Sequence, residues 1–185
     1  KPISLHQAIQ QAQEQNKQVQ LKKLEEKYYE ALKQSATDLP KTQLNAELGN
    51  INSTNFDNRF TLMQTFAMPV VYKRQKTLLE LGWETSKLQT TLQQTEIIRL
   101  VKQAYLQLEF LQLKQQLLLK TDSIFSKYQK VAQLRFDKGE TNLLEKATLD
   151  NQVQQLQMQL QMLRADKQNA SFQLSVLLNS ESAFE

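Results

Sequence analysis

The sequence predicts a mostly α-helical protein that combines a long antiparallel coiled-coil hairpin, a further long helix and a two-stranded β segment. Glycine and proline number only 3 each in 185 residues, so few positions are able to interrupt a helix. Apolar residues recur at steps of three and four along most of the chain, which is the helical period. Between residues 42 and 68 the period changes to two, which indicates strands.

The composition excludes several classes of function. With no cysteine and 1 histidine, the chain cannot form disulfides, thiolate metal sites or most histidine-based metal sites. The scarcity of glycine argues against a phosphate-binding loop. The 23 basic and 19 acidic residues leave a net charge of +4, but the charges are interspersed and no basic run indicates a nucleic-acid partner. We therefore expect no cofactor, no metal ion, no catalytic residue and no nucleic acid.

The first helix is predicted at residues 4–38. Ser4 and Gln7 have the spacing of a capping box, in which each side chain accepts a hydrogen bond from the other residue's backbone N–H. Pro40 disfavours a helical conformation at Leu39, which sets the end of this helix.

Two strands are predicted at residues 42–50 and 58–68, joined by a polar loop that is rich in turn-forming residues. Apolar side chains alternate with polar ones. The residues alone favour an ordinary soluble hairpin with one buried face, because two strands cannot close a barrel. The alternatives are the wall of a transmembrane barrel, in which one face meets lipid, and an irregular loop. The apolar set is Leu44, Ala46, Leu48, Phe60, Leu62 and Phe66.

The rest of the chain is predicted to form two long helices. Residues 70–138 contain no proline and one glycine, and at ~1.5 Å per residue they would extend for roughly 100 Å. Residues 142–178 carry an apolar seam with the heptad period of a coiled coil. The longer helix carries a second apolar row beside its seam, which predicts neighbours on both flanks. That row is Phe110, Leu113, Leu117, Ile124, Tyr128 and Val131.

The two seams predict an antiparallel hairpin with its tip at residues 139–141. Facing residues in such a hairpin have numbers with a constant sum, and Phe125 with Leu156 gives 281, as do the neighbouring layers. Heptads also permit sums that differ by seven. Gly139 lies beside the midpoint and readily takes the left-handed conformation that ends a helix.

Four stretches of the chain carry a family resemblance, and the most specific of them is the hairpin tip, RFDKGETNLLE. The stretches are residues 4–9 with Asn16, 38–40, 64–66 with Lys73 and Arg74, and 135–145. With these stretches and this layout, the chain resembles one repeat of the TolC-like outer-membrane efflux proteins.

The resemblance implies a passive conduit in the bacterial outer membrane, with most of the chain in the periplasm. Proteins of this family are trimers in which each protomer has two repeats. Each repeat gives two strands to a β-barrel, and the long helices form a periplasmic α-barrel. The helical tips meet a periplasmic adaptor, which links the duct to an inner-membrane pump of an RND system. Residues 1–185 would be a single repeat, so we expect a fragment of a longer protein or part of a fusion with a pump.

The resemblance also assigns roles to residues. The apolar face of the strands would contact lipid, and Tyr72, Lys73 and Arg74 would anchor the chain at the membrane interface. In an isolated repeat, where the barrel neighbours are missing, we expect the strands to be mispaired or disordered. The tip would contact the adaptor through Arg135, Lys138, Gly139, Glu140, Thr141 and Asn142.

Other interpretations remain open for these features and for the whole chain. The residues after the second strand could be a solvated helix start, and the tip could be a helix-reversing turn without a partner. A periplasmic adaptor also has a coiled-coil hairpin, but between lipoyl and barrel halves rich in glycine and valine. A purely structural coiled coil predicts neither strands nor a special tip.

Overall fold

A computed structural model describes residues 3–49 and 57–180 of the chain. The predicted fold class is confirmed: the fold is mostly α-helical, with a long helical hairpin and one two-stranded antiparallel sheet. The elements in chain order are helix α1 (Leu5–Gln15), helix α2 (Lys17–Leu32), a short 3₁₀ helix (Lys33–Thr37), strands β1 (Gln43–Gly49) and β2 (Asp57–Met63), and helices α3 (Pro69–Asp137) and α4 (Leu143–Leu178).

The prediction of one continuous helix over residues 4–38 is wrong, because the chain leaves the helical conformation at Asn16. The Asn16 backbone has φ −64° and ψ 126°, an extended conformation. Its side-chain Oδ1 accepts hydrogen bonds from the backbone N–H groups of Gln18 at 3.0 Å and Val19 at 3.4 Å. The asparagine therefore ends α1 and caps the first turn of α2, as this side chain commonly does. The predicted capping box of Ser4 and Gln7 is present at the start of α1.

The second strand is shorter than predicted. It ends at Met63, so residues 64–68 belong to no strand and Phe66 lies outside the sheet. The Gln64 side chain accounts for the end of pairing: its Nε2 donates to the Pro40 carbonyl at 2.9 Å, and its Oε1 accepts from the Thr42 hydroxyl. The predicted polar loop falls largely at residues 50–56, outside the described residues.

The chain divides into two compact units, and the first comprises Lys1–Gln20 and Gln94–Glu185. Its core is a narrow stripe in which α1, the first turn of α2, the middle of α3 and α4 meet. Alanines recur in this stripe, and their small side chains allow helices to approach closely. The core residues are Ala8, Ala12, Val19, Ile97, Val101, Ala104, Leu108, Leu111, Leu163, Ala170, Leu174 and Leu178.

Two polar contacts connect α3 with α4 along the hairpin. Gln129 Nε2 donates to Asp150 Oδ1 at 2.7 Å, and Lys167 Nζ donates to Gln115 Oε1 at 3.5 Å. The residue numbers of these pairs add to 279 and 282, close to the 281 that the seams predict. A register shifted by one heptad would not bring either pair together.

The second apolar row of α3 is exposed. Phe110 is 58 % exposed and Leu117 is 64 % exposed, and the other members of the row are exposed to a similar degree. The hairpin thus covers one side of α3 and leaves an apolar row uncovered in this single chain.

The second unit, Leu21–Gln93, holds α2, the 3₁₀ helix, the strand pair and the start of α3. Small side chains mark where α2 and α3 meet. Thr90 is 5 % exposed, and its hydroxyl donates to the Lys22 carbonyl at 3.2 Å and to the Ser86 carbonyl at 3.1 Å. Ala36 in the 3₁₀ helix is also buried.

We predict that Asn16→Ala lowers the free energy of unfolding by about 1–3 kcal/mol, because buried backbone groups lose their partner. Asn16 is 6 % exposed, and its Nδ2 also donates to the Leu177 carbonyl at 2.9 Å. Urea unfolding followed by circular dichroism measures the change. Asn151→Ala, at an exposed position of α4, is the matched control and should change the free energy by less than about 0.5 kcal/mol. Equal effects of the two substitutions would contradict the capping role.

Candidate docking tip and strand segment

The incoming arm of the hairpin ends in a Schellman motif. The Glu140 N–H donates to the Arg135 carbonyl at 2.8 Å, and the Gly139 N–H donates to the Phe136 carbonyl at 2.9 Å. Gly139 has φ +74°, in the left-handed region. This conformation satisfies carbonyl groups that the end of α3 would otherwise leave unpaired. The tip glycine therefore has the conformation that the sequence predicts for it.

The outgoing arm begins with a side-chain cap. Asn142 Oδ1 accepts a hydrogen bond from the Glu145 backbone N–H at 2.9 Å, so Asn142 is the N-cap of α4. The Thr141 hydroxyl donates to the Glu145 carboxylate. Lys146 Nζ lies 5.1 Å from the centre of the Phe136 ring, a cation–π contact that joins the two arms.

The tip presents the predicted residues together at one end of the hairpin. Arg135, Lys138, Gly139, Glu140 and Asn142 are exposed, and Thr141 is half-buried. Both signs of charge occur within a few residues, so the tip offers hydrogen bonds and ion pairs without a strong net charge. The predicted role of these residues in contacting an adaptor remains a prediction.

The sequence analysis missed two apolar residues beside the tip. Leu143 is 65 % exposed and Leu144 is 74 % exposed. Both fall outside the seam of α4, whose nearest members are Leu149 and Val153, and this mismatch could have identified them from the sequence. Leu134, 61 % exposed, adds apolar surface at the end of α3. The tip thus combines polar groups with exposed leucines.

A cleft of about 420 Å³ lies between the two arms near the tip. Gln129 and Asp150, which are hydrogen-bonded to each other, both line it. The other lining residues are Lys130, Gln133 and Leu134.

The strand pair has the alternation that the sequence predicts. In the antiparallel register, Leu44 pairs with Leu62 and Ala46 with Phe60, so these side chains share one face. Leu48 lies on the same face, opposite Asn58. The other face carries Glu47 and Arg59, whose Oε2 and Nη1 atoms form an ion pair at 3.2 Å.

The expectation of mispaired or disordered strands is wrong for the described residues, which form one continuous ladder. Neither face of the pair is covered, and the large apolar side chains of one face are exposed, Leu44 to 71 % and Phe60 to 66 %. Phe66, predicted with this set, is 68 % exposed but lies beyond the end of β2. The contact of this face with lipid remains a prediction.

The segment between β2 and α3 contains the predicted interface anchor. The Tyr72 hydroxyl accepts a hydrogen bond from the Ala67 backbone N–H at 3.3 Å, which ties the first turn of α3 to the preceding segment. Tyr72 is half-buried, whereas Lys73 and Arg74 are exposed. The structure therefore places all three residues in the first turns of α3, and their role at a membrane remains a prediction.

Residues 3–49 and 57–180 contain no cluster of three or more His, Asp or Glu side chains that could hold a metal ion. Within the same ranges, no helix is both long enough and apolar enough to cross a membrane. The pKa shifts that the described groups show belong to one exposed pair on α3. A side-chain hydrogen bond from Arg99 lowers the pKa of Glu96, and the same bond raises the pKa of Arg99.

No protein-family model and no curated protein matches the sequence. Solved structures do match the fold. The outer-membrane channel CmeC of Campylobacter jejuni matches with a TM-score of 0.82 and 14 % identity, over 96 % of this chain and 41 % of CmeC. CusC, a protein that forms a transmembrane channel, matches with a TM-score of 0.83 and 11 % identity, over 98 % of this chain and 44 % of its own. A membrane protein from Pseudomonas aeruginosa matches with a TM-score of 0.78 and 16 % identity, over 97 % of this chain and 45 % of that protein's chain.

The chain therefore has the fold of the TolC-like outer-membrane channels, and the resemblance in the sequence is confirmed at the level of the fold. It spans less than half the length of each of these three proteins. That share is what one repeat of a two-repeat protomer would occupy.

We predict that alanine substitutions at Gly139 in the tip and at Gly82 in α3 change the free energy of unfolding in opposite directions. Gly139→Ala should lower the free energy of unfolding by about 1–2 kcal/mol, because a Cβ is disfavoured at φ +74°. Gly82→Ala should raise it by about 0.5–1 kcal/mol, because Gly82 is inside α3 and a Cβ there would lie 3.8 Å from Tyr29 Cδ1, an ordinary contact. Urea unfolding of both variants measures the two changes. A stabilising Gly139→Ala would rule out the left-handed tip.

We predict that Leu44→Cys with Leu62→Cys forms a disulfide readily, because directly opposed residues of two strands have the Cα separation that a disulfide needs. The chain has no other cysteine, so non-reducing electrophoresis at low protein concentration reports this bond alone. The control is Leu44→Cys with Thr61→Cys, whose side chains point to opposite faces. Equally fast oxidation of both pairs would contradict the register.

Proposed function

We propose that the chain is one repeat of a bacterial outer-membrane channel that serves as the passive conduit of an efflux system. The observation that carries this proposal is the fold match over nearly the whole chain to proteins described as outer-membrane channels. These neighbours are channels and not enzymes, which favours a function without catalysis. The proposal accordingly assigns no catalytic residue and no cofactor.

The proposed assembly is a trimer of two-repeat protomers. The apolar face of β1 and β2 would contact outer-membrane lipid, and the face with Glu47 and Arg59 would contact water. Tyr72, Lys73 and Arg74 would lie at the membrane interface, which suits aromatic and basic side chains. Two features support contacts with other protomers and with lipid. The strand pair is exposed on both faces, and the second apolar row of α3 is exposed.

The proposed docking site for a periplasmic adaptor is the tip of the hairpin, with the adaptor linking the duct to an inner-membrane pump. Leu143 and Leu144 would supply the apolar contact, since exposed leucines next to polar groups suit the centre and rim of an interface. The charged tip residues, Arg135, Lys138 and Glu140, would set the orientation of the partner.

The alternative functions have less support. A purely structural coiled coil predicts no strands, and β1 and β2 are present. An adaptor would need lipoyl and barrel halves on either side of its hairpin, whereas here the elements that precede the hairpin are two helices, a 3₁₀ helix and a strand pair.

The proposal predicts that loss of the gene in the native bacterium raises the retention of fluorescent efflux dyes, and that the wild-type gene restores dye release. The natural protein with Leu143→Asp and Leu144→Asp should reach the outer-membrane fraction in normal amount but restore release poorly, because two charges replace the apolar contact. Dye retention in washed cells and immunoblots of membrane fractions measure the two effects.

The matched control is Gln154→Asp with Gln155→Asp, which adds the same charge at adjacent exposed positions of the same helix. This control should restore dye release fully. Absence of the protein from the outer-membrane fraction would refute the conduit. Full release by the leucine variant would refute docking through the tip and leave the conduit standing.

A further inference from the structure

Two lysine ammonium groups lie close to one tryptophan ring in the second unit. Lys33 Nζ, in the 3₁₀ helix, is 3.2 Å from the centre of the Trp83 ring, and Lys87 Nζ, one turn after Trp83 on α3, is 3.8 Å from it. All three side chains are half-buried. Each ammonium is attracted to the electron-rich face of the ring, and because both lie within 4 Å of the same ring centre their positive charges also repel each other.

Among the described residues, the indole N–H of Trp83 has no hydrogen-bond partner. Its Nε1 atom is buried, and no acceptor within the described part of the chain reaches it. A buried donor without a partner is unfavourable, and tryptophan N–H groups usually find an acceptor when buried. The N–H is therefore a donor that a bound acceptor could satisfy.

Within the ranges that the structure describes, no carboxylate forms an ion pair with either lysine. The ion pairs within residues 3–49 and 57–180 join Lys22 to Glu25, Arg59 to Glu47 and Arg99 to Glu96. Glu30 and Glu84 are close to the two lysines in the sequence, yet neither forms an ion pair with them. The cluster thus offers one N–H donor and two ammonium groups, and it contains no acceptor.

We propose that Lys33, Trp83 and Lys87 form a binding site for an oxyanion, either free phosphate or the phosphate of a lipid headgroup. A phosphate accepts hydrogen bonds through several oxygens and carries negative charge, so one ligand would satisfy the indole N–H and offset both ammonium groups. The long lysine side chains are flexible enough to move aside and admit it. This site shares no residue with the tip or the strand pair, and it does not depend on the proposed conduit function.

The test uses the only tryptophan in the chain as its probe. Inorganic phosphate is titrated into the protein while Trp83 fluorescence is recorded, with sodium chloride added to a parallel sample at equal ionic strength. We expect a saturable change with phosphate and none with chloride. Lys33→Gln with Lys87→Gln should weaken binding at least tenfold, whereas Lys27→Gln with Lys76→Gln, which removes the same charge from exposed positions, should leave it unchanged.

Vesicles distinguish the two sources of phosphate. A response to phosphatidylglycerol vesicles but not to phosphatidylcholine vesicles or inorganic phosphate identifies the lipid headgroup, and a response to inorganic phosphate identifies the free anion. Trp83→Phe, followed by phosphorus NMR, should also weaken binding because it removes the N–H donor. The proposal is overturned if chloride reproduces the change, if the Lys33 and Lys87 variant binds normally, or if neither phosphate source has an effect.

Discussion

The 69-residue helix α3 is held in place only where part of its surface is buried. In the first unit this burial occurs along the narrow stripe of core residues that α3 shares with α1 and α4, and the rest of the unit depends on that stripe. Most of this stripe consists of leucine, valine and alanine at helical spacing. Burial along one line leaves the other side of the helix exposed, including its second apolar row. The same stripe fixes the register of the hairpin, and the register in turn determines which residues reach the tip.

Sequence periodicity predicted the features that depend on this burial. The seams of α3 and α4 predicted the hairpin, and Gly139 predicted its turn, because left-handed helix ends have a strong residue preference. The alternation of Leu44, Ala46 and Leu48 likewise predicted which side chains share a face of the sheet. Each of these patterns reflects many residues acting together.

Two features that depend on a single amide side chain were not predicted. The break at Asn16 and the end of β2 at Met63 both result from an amide side chain that binds nearby backbone groups. Such bonds compete with regular structure but leave the apolar pattern intact. The exposed pair Leu143 and Leu144 lies outside the heptad seam of α4, so the periodicity that predicted the hairpin did not identify these two residues. The contact between Trp83 and Lys33 joins distant parts of the sequence, so no local pattern could predict it.

The antiparallel register also limits how the length of this protein can change. Because Gln129 faces Asp150 and Gln115 approaches Lys167, an insertion in one arm alone would slide every layer beyond it out of alignment. A tolerated change must add or remove matching segments in both arms, in steps of seven that preserve the seam. Natural variation in the reach of such hairpins should therefore appear as paired gains or losses at equal distances from the turn.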